Sequence, residues 1–253
     1  QGIVKYNYLR DGNTIIYGND GAEREKMLDT MICSTVKNHT VDEINYYIID
    51  YGSESFTKYE KLAHVGGVVI AGEDEEYNNL LKFLKAELKR RKKLFADYGG
   101  EYDNYIRSNN NKLPLCSVII NNYDSVYESN PDIFEVLPEL VRDSYRYGIV
   151  YVITANAINS VQSKISTNFS NIYTFKLKDA SDYSALFGVR TKTVPRDIFG
   201  RGLLKDDNVH EFQIASLVAN EDEFNDYLIN FISKVNEVNK IQALKIPTDL
   251  TIP

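Results

Sequence analysis

Thr14-Ile15-Ile16-Tyr17-Gly18-Asn19-Asp20-Gly21-Ala22-Glu23-Arg24-Glu25 is the stretch on which the fold turns. A β-branched apolar strand runs into a glycine loop, and the loop runs into a helix. That is the layout of a phosphate-binding P-loop, G-x-x-x-x-G-K-[ST], with Gly18 on its first glycine. The last three positions read Glu23, Arg24 and Glu25, where the pattern asks for Gly, Lys and Ser or Thr. In a working loop, backbone N–H groups and the helix N-terminus hold phosphate, the Lys neutralises it and the hydroxyl ligates Mg²⁺. Here two carboxylates flank Arg24 in the first helical turn, where acids favour the helix dipole and occupy the electrostatic place of a phosphate. An ordinary acid-capped helix start explains this stretch equally well when it is taken alone.

A second stretch supplies context. A P-loop enzyme needs another strand ending in Asp, often Asp-Glu, to hold Mg²⁺ and activate water. Val118-Ile119-Ile120 ends instead in Asn121-Asn122. The amides keep the shape of Asp, but they neither take a proton from water nor offset a metal charge. Asp124, two residues on, does not substitute. Departures at both expected places favour an altered nucleotide site over coincidence, with candidate residues Gly18, Asn19, Asp20, Gly21, Ala22, Glu23, Arg24, Glu25, Asn121 and Asn122. Thr154-Ala155-Asn156 ends the next strand, where Thr154 and Asn156 are sensor candidates or simply a turn. Arg24 is expected to pair with a neighbouring carboxylate.

Outward from these stretches, apolar strands alternate with long helices, which predicts a mostly parallel sheet covered on both faces. Strands are expected at 14–17, 46–50, 68–70, 115–120, 149–154 and 172–177, with a closing hairpin through Leu203-Leu204 and 211–215. Helices are expected at about 23–37, 73–98, 131–146 and 221–239. Residues 1–13 are expected to form an entry strand and turn. Residues 1–240 make one α/β domain, and 241–253 an extended tail or linker.

The 253 residues suit one large α/β domain. A net charge of −7 argues against a general nucleic-acid binder. No apolar run approaches membrane-span length. The chain opens at Gln1, which suggests a segment of something longer. Cys33 and Cys116 fit no metal or redox spacing and are expected to be free buried thiols. His64 is expected to be structural, and Lys89-Arg90-Arg91-Lys92-Lys93 to form a solvated helix face.

Four further segments carry a resemblance. Ile48-Ile49-Asp50-Tyr51-Gly52 with Leu62-Ala63-His64-Val65-Gly66-Gly67 is similar to the D-[FY]-G…L-P-H-V-G-G stretch of the FtsK/SpoIIIE translocase ATPases, Ala63 standing for Pro. Arg142 with Gly148-Ile149 and Thr154-Ala155-Asn156 resembles that family's segment ending in T-A-N or T-Q-R. Leu177 to Tyr183 resembles its L-x-D-x-x-D-Y, and Gly200-Arg201-Gly202 with Phe212-Gln213 its G-R-G-L…F-Q ending. More narrowly, the chain resembles a tandem ATPase domain of the type VII secretion motors. The resemblance implies a RecA-like P-loop NTPase fold and a cytosolic domain of a hexameric, membrane-anchored motor. It also implies helical-hairpin secretion substrates and sister domains that carry the ATPase activity. The final domain of such a motor is the expected place, with the second-to-last as the alternative. No cofactor is expected to be bound; ATP and magnesium enter only if the altered site still works. The function expected is substrate recognition or motor regulation without hydrolysis. The alternatives are a weak ATPase with Arg24 replacing Lys, and a DNA translocase, which the acidic balance disfavours.

Overall fold

A computed structural model describes residues 2–110 and 112–248. In chain order the elements are α1 (Tyr8–Asp11), β1 (Thr14–Tyr17), α2 (Gly21–Val36), β2 (Ile44–Asp50), β3 (Val65–Ile70) and α3 (Asp74–Leu94). There follow α4 (Tyr102–Arg107), β4 (Leu115–Asn121), α5 (Tyr123–Ser129), α6 (Ile133–Val141), β5 (Ile149–Ala155) and α7 (Ser163–Ser166). The chain ends with β6 (Asn171–Thr174), α8 (Ser181–Phe187), β7 (Arg201–Lys205), β8 (Val209–Gln213) and α9 (Phe224–Val238).

One eight-stranded sheet runs in the order β3-β2-β4-β5-β1-β6-β7-β8. Its first six strands are parallel, and β7 and β8 close it as antiparallel neighbours. Each of β1, β2, β4 and β5 is buried along its whole length, as a sheet covered on both faces requires. The pleat divides the core. Ile15, Tyr47, Ile49, Val118 and Ile153 pack with Leu80, Leu84 and Leu88 of α3 and Leu137 of α6. Ile16, Ile48, Ile119 and Val152 pack on the other face with Leu28 and Ile32 of α2 and Leu228 and Ile232 of α9. The four strands expected at 14–17, 46–50, 115–120 and 149–154 all lie in this sheet.

Several boundaries differ from expectation. Among the described residues, 2–13 form no strand; Asn7 caps the short α1, and Gly12 ends it at φ +68°. Helix α2 starts at Gly21, not 23, because the Asp20 side chain caps it by accepting the Ala22 N–H at 2.8 Å. The expected helix over 131–146 is α6, which ends at Val141, followed by a 3₁₀ turn at Ser144–Tyr147; α5, just before it, was not expected. The strand expected at 172–177 ends at Thr174. The basic run on α3 is not uniformly solvated. Arg91 is buried and donates to the carbonyls of Pro114, Tyr147 and Gly148 at 2.7, 3.0 and 3.2 Å, and to Glu87 at 2.7 Å.

Residues 243–248 dock along the edge strand β3. Ala243 N–H donates to Ala63 O at 2.8 Å, Ile246 N–H to Gly66 O at 3.2 Å, and Tyr47 Oη to Leu244 O at 2.6 Å. Gly66 and Gly67 are bare because the strap passes over them: a Cβ would meet Leu244 O at 2.6 Å and Ile246 Cδ1 at 2.4 Å. The strap thus covers an otherwise open sheet edge. The expected tail beyond Thr248, and Gln1 of the expected entry strand, lie outside the described residues.

Candidate functional site

Parallel strands β4, β5 and β1 end side by side, with Ile16 beside Thr154 and Tyr17 beside Ala155. The crevice at the carboxyl ends of such strands is where α/β sheets bind ligands. Into it point the start of α2, the β4 end at Asn121-Asn122 and the β5 end at Thr154–Asn156. The structure therefore gathers the residues singled out in the sequence.

The loop itself is short. Only residues 18–20 join β1 to α2. Gly18 N–H is donated to Ala155 O at 3.1 Å and Asn19 N–H to Lys176 O at 2.9 Å, so neither is free for a phosphate. Gly18 is a glycine because a Cβ there would lie 3.0 Å from Phe175 Cβ. At the helix start, the anion that meets the backbone donors is the chain's own Asp20 carboxylate. Sequence reasoning placed Glu23 and Glu25 there; both side chains turn away.

Arg24 is almost fully buried, and its guanidinium folds back over the loop. Nη1 donates to Gly18 O and, at 2.7 Å, to Asn156 Oδ1. A Cβ at Gly21 would stand 3.5 Å from Nη2. Among the described residues the expected carboxylate pairing is not made. A carbonyl and an amide take the charge, while burial pushes the guanidinium down from its ordinary value against the opposing carboxylates of Asp124, Glu25 and Asp20. Asp124 Oδ2 accepts the Asn156 N–H at 2.9 Å and so steadies the Arg24 acceptor.

Glu23 reaches across to the strand beyond the crevice. Its Oε1 accepts the Gly200 N–H at 2.8 Å, and burial raises its carboxyl pKa despite that bond. Glu25 reaches the other way. Its Oε1 accepts from Asn121 Nδ2 at 3.0 Å and Ser53 N–H at 3.2 Å, and its Oε2 from Ser53 Oγ at 2.8 Å. Asn121 Nδ2 also donates to Asp50 Oδ1 at 2.9 Å, while its Oδ1 accepts from Thr154 Oγ1 at 2.8 Å. One amide thus bridges two carboxylates and a hydroxyl, and the two carboxylates fix which end is nitrogen. The same network explains Gly52, where a Cβ would lie 2.6 Å from Asn121 Nδ2 and 2.9 Å from Glu25 Oε1.

Asn122 is used by the turn into α5. It adopts φ +61° and donates Nδ2 to Tyr51 O and Ser125 Oγ. Its N–H donates to Thr154 Oγ1 at 2.8 Å. Asp50, Ser53 and Gly200 are the members that sequence reasoning missed, and Asp124, set aside there as a substitute carboxylate, enters through Asn156. Asp50 and Gly200 lay in quoted motifs, yet their roles depend on β2 lying beside β4 and on Gly200 meeting α2.

Elsewhere, His64 is buried and donates Nε2 to His39 O at 2.7 Å, in keeping with a structural histidine. Cys33 and Cys116 are free and buried, and burial pushes their thiols up to about 11 and about 12. Among the described residues no group of three or more His, Cys, Asp or Glu side chains is placed to hold a metal ion, and no helix is long and apolar enough to cross a membrane.

Comparison with known proteins agrees with this geometry. The FtsK/SpoIIIE family model matches residues 3–190. The ESX secretion system protein EccC of Geobacillus thermodenitrificans is 27% identical over 219 residues, covering 86% of this chain and 15% of that protein. The chain therefore spans a small part of such relatives. The structure of EssC (ATPases 2 and 3) from Geobacillus thermodenitrificans superposes with a TM-score of 0.88 at 25% identity, over 98% of this chain and 48% of that one. Thermomonospora curvata EccC (ATPases 2 and 3), in complex with a signal sequence peptide, superposes with a TM-score of 0.78 at 17% identity, over 93% and 44% of the two chains. Sheet order, site position and family match together place the chain in the FtsK/SpoIIIE family, with a P-loop NTPase fold.

Proposed function

We propose that this chain is a non-hydrolysing, ATPase-like module of a type VII secretion motor, acting in substrate recognition or in regulation of the motor. Residues 1–240 are its domain and 241–253 its tail. The likeness to EccC, and the coverage of about half of a two-ATPase EssC chain, support one ATPase unit of such a motor. Sister ATPase domains, a hexameric assembly and a membrane anchor elsewhere in the motor belong to this reading.

The observation that carries it is the internal filling of the phosphate place. Asp20 caps the helix, and the Arg24 guanidinium lies over the loop, bonded to Gly18 O and Asn156 Oδ1. A triphosphate would have to displace that guanidinium and break the Gly18 and Asn19 backbone bonds. It would also stand among Asp20, Glu23 and Glu25, with Arg24 as the cation beside them. A like-charge contact at about 4 Å costs about 4 kcal/mol at an effective dielectric of about 20, nearly a thousandfold in affinity. Magnesium fares no better. The position that should supply its carboxylate is Asn121, whose amide nitrogen faces Glu25 and Asp50. We derive no hydrolytic step at this site.

Phosphate release from Mg·ATP tests the enzymatic half. No turnover above buffer is expected, and turnover that vanishes in Arg24→Ala would contradict the reading. Titration against small helical secreted proteins and their signal-sequence peptides tests the recognition half, since the Thermomonospora relative is complexed with a signal sequence peptide. Consistent absence of binding would leave regulation of the motor as the role.

A further inference from the structure

Three consecutive side chains at the start of α2 hold five separate segments. Glu23 takes the Gly200 N–H. Arg24 takes Gly18 O and Asn156 Oδ1. Glu25 takes Asn121 Nδ2 together with the N–H and hydroxyl of Ser53. In a nucleotide-loaded site, phosphates and metal would join the helix, the loop and the strand ends; here covalently attached groups do so.

We propose that Glu23, Arg24 and Glu25 are positioning residues of a ligand-independent clamp, and that its Glu23 arm fixes the surface loop 188–199. This rests on the reading that the site takes no Mg·ATP. Residue 200 is the C-terminal anchor of the loop. Its glycine is required, since φ is +78° and a Cβ would lie 2.8 Å from Gln213 Nε2. The loop carries Val189, Val194, Ile198 and Phe199 exposed, the last two about half exposed. It also carries Arg190, Lys192 and Arg196, in a segment, 176–205, with seven Lys or Arg against three Asp or Glu. A free loop of this composition would expose its apolar groups in many conformations. Its other ties include Lys176 to Asp197 at 2.8 Å, Arg196 to Glu211 at 2.8 Å, Ser184 Oγ with Thr191 at 3.1 Å, Gln213 Nε2 to Phe199 O at 3.1 Å and Ile214 N–H to Gly200 O at 2.9 Å. Those ion pairs are largely solvent-exposed and weak. The Glu23–Gly200 bond is the buried side-chain tie, and a hydrogen bond to a buried charged acceptor is among the stronger ones.

The arms hold different segments, so their loss has different consequences. Glu23→Ala removes the acceptor, Glu23→Gln keeps an oxygen for Gly200, and Glu25→Ala releases Ser53 and Asn121 while leaving Gly200 alone. The experiment combines amide exchange at Gly200 with trypsin cleavage at Arg190, Lys192 and Arg196, all without nucleotide. In Glu23→Ala, Gly200 exchange and loop cleavage should each rise about tenfold or more, as loss of a charge-assisted bond implies. Glu23→Gln should stay near the unmodified protein, and Glu25→Ala should leave both rates within about threefold. Fast Gly200 exchange in the unmodified protein, unchanged cleavage in Glu23→Ala, or equal opening of the loop in Glu25→Ala would overturn the clamp. If Glu23→Ala does not fold, exchange at Gly200 in the unmodified protein and in Glu23→Gln still decides. Tight Mg·ATP binding would defeat the earlier reading without altering the Gly200 exchange, so the two failures are separable.

Discussion

Asn121 holds its amide nitrogen 3.0 Å from Glu25 and 2.9 Å from Asp50. An aspartate there would set a third carboxylate against these two and remove both donated bonds. Asn121→Asp should therefore lose about 3 kcal/mol or more in urea denaturation at pH 7, the loss shrinking at lower pH as the cluster takes up a proton. Adding Glu25→Gln to Asn121→Asp removes one of the three carboxylates and supplies an amide donor to the new one, so the double variant should recover about half of that loss. Strictly additive effects would mean that the two side chains do not interact. Glu23 behaves differently because burial raises its carboxyl pKa. The folded state then binds more protons than the unfolded one between the ordinary and the raised value, so this group's contribution falls as pH rises through that window. Glu23→Gln should flatten that part of the stability–pH curve and leave the protein as stable or more stable at neutral pH. A curve unchanged in that window would contradict the assignment.

At the scale of elements, α3 depends on Arg91. Burial alone would push the Glu87 carboxyl up, but bonds from Arg90 and Arg91 hold it below its ordinary value. Arg91→Ala takes the guanidinium donor from the Pro114, Tyr147 and Gly148 carbonyls and leaves Glu87 without its buried partner, and should cost about 3 kcal/mol or more. Arg91→Lys, a point charge without the fork, should recover only part of that in the same denaturation experiment. The edge strand β3 depends on the 243–248 strap. Gly66→Ala pushes against Tyr47 and the Leu244 carbonyl and should loosen the strap, lower the melting temperature and promote association through the bared edge, seen by light scattering. A monomer with unchanged melting behaviour would show that the strap contributes nothing there. Strands such as Leu115–Asn121 were legible because fully buried parallel strands read as apolar runs. The full length of the helix expected over 131–146 was not, because α6 stops at the extended Arg142 and the αL residue Asp143, whose conformations depend on packing. The start of α2 was misplaced by two residues because Asp20, rather than a later acid, supplies its cap.

For the molecule as a whole, the alternation of strands and helices implied a parallel sheet, and the sheet order brings the two altered stretches to one crevice. That Glu23, Arg24, Glu25, Asn121 and Asn122 belong together was readable, since each departs from a pattern of known spacing. What they touch was not. Asp50 meets Asn121 only because β2 and β4 pair in register, and Gly200 meets Glu23 across 177 residues of chain. A crevice filled from within should take no Mg·ATP. Calorimetric titration of the domain with ATP, with and without Mg²⁺, tests it most directly. Only heats of dilution are expected up to about millimolar nucleotide; a Mg²⁺-dependent Kd of about micromolar, lost in Arg24→Ala, would show that the crevice is a working nucleotide site.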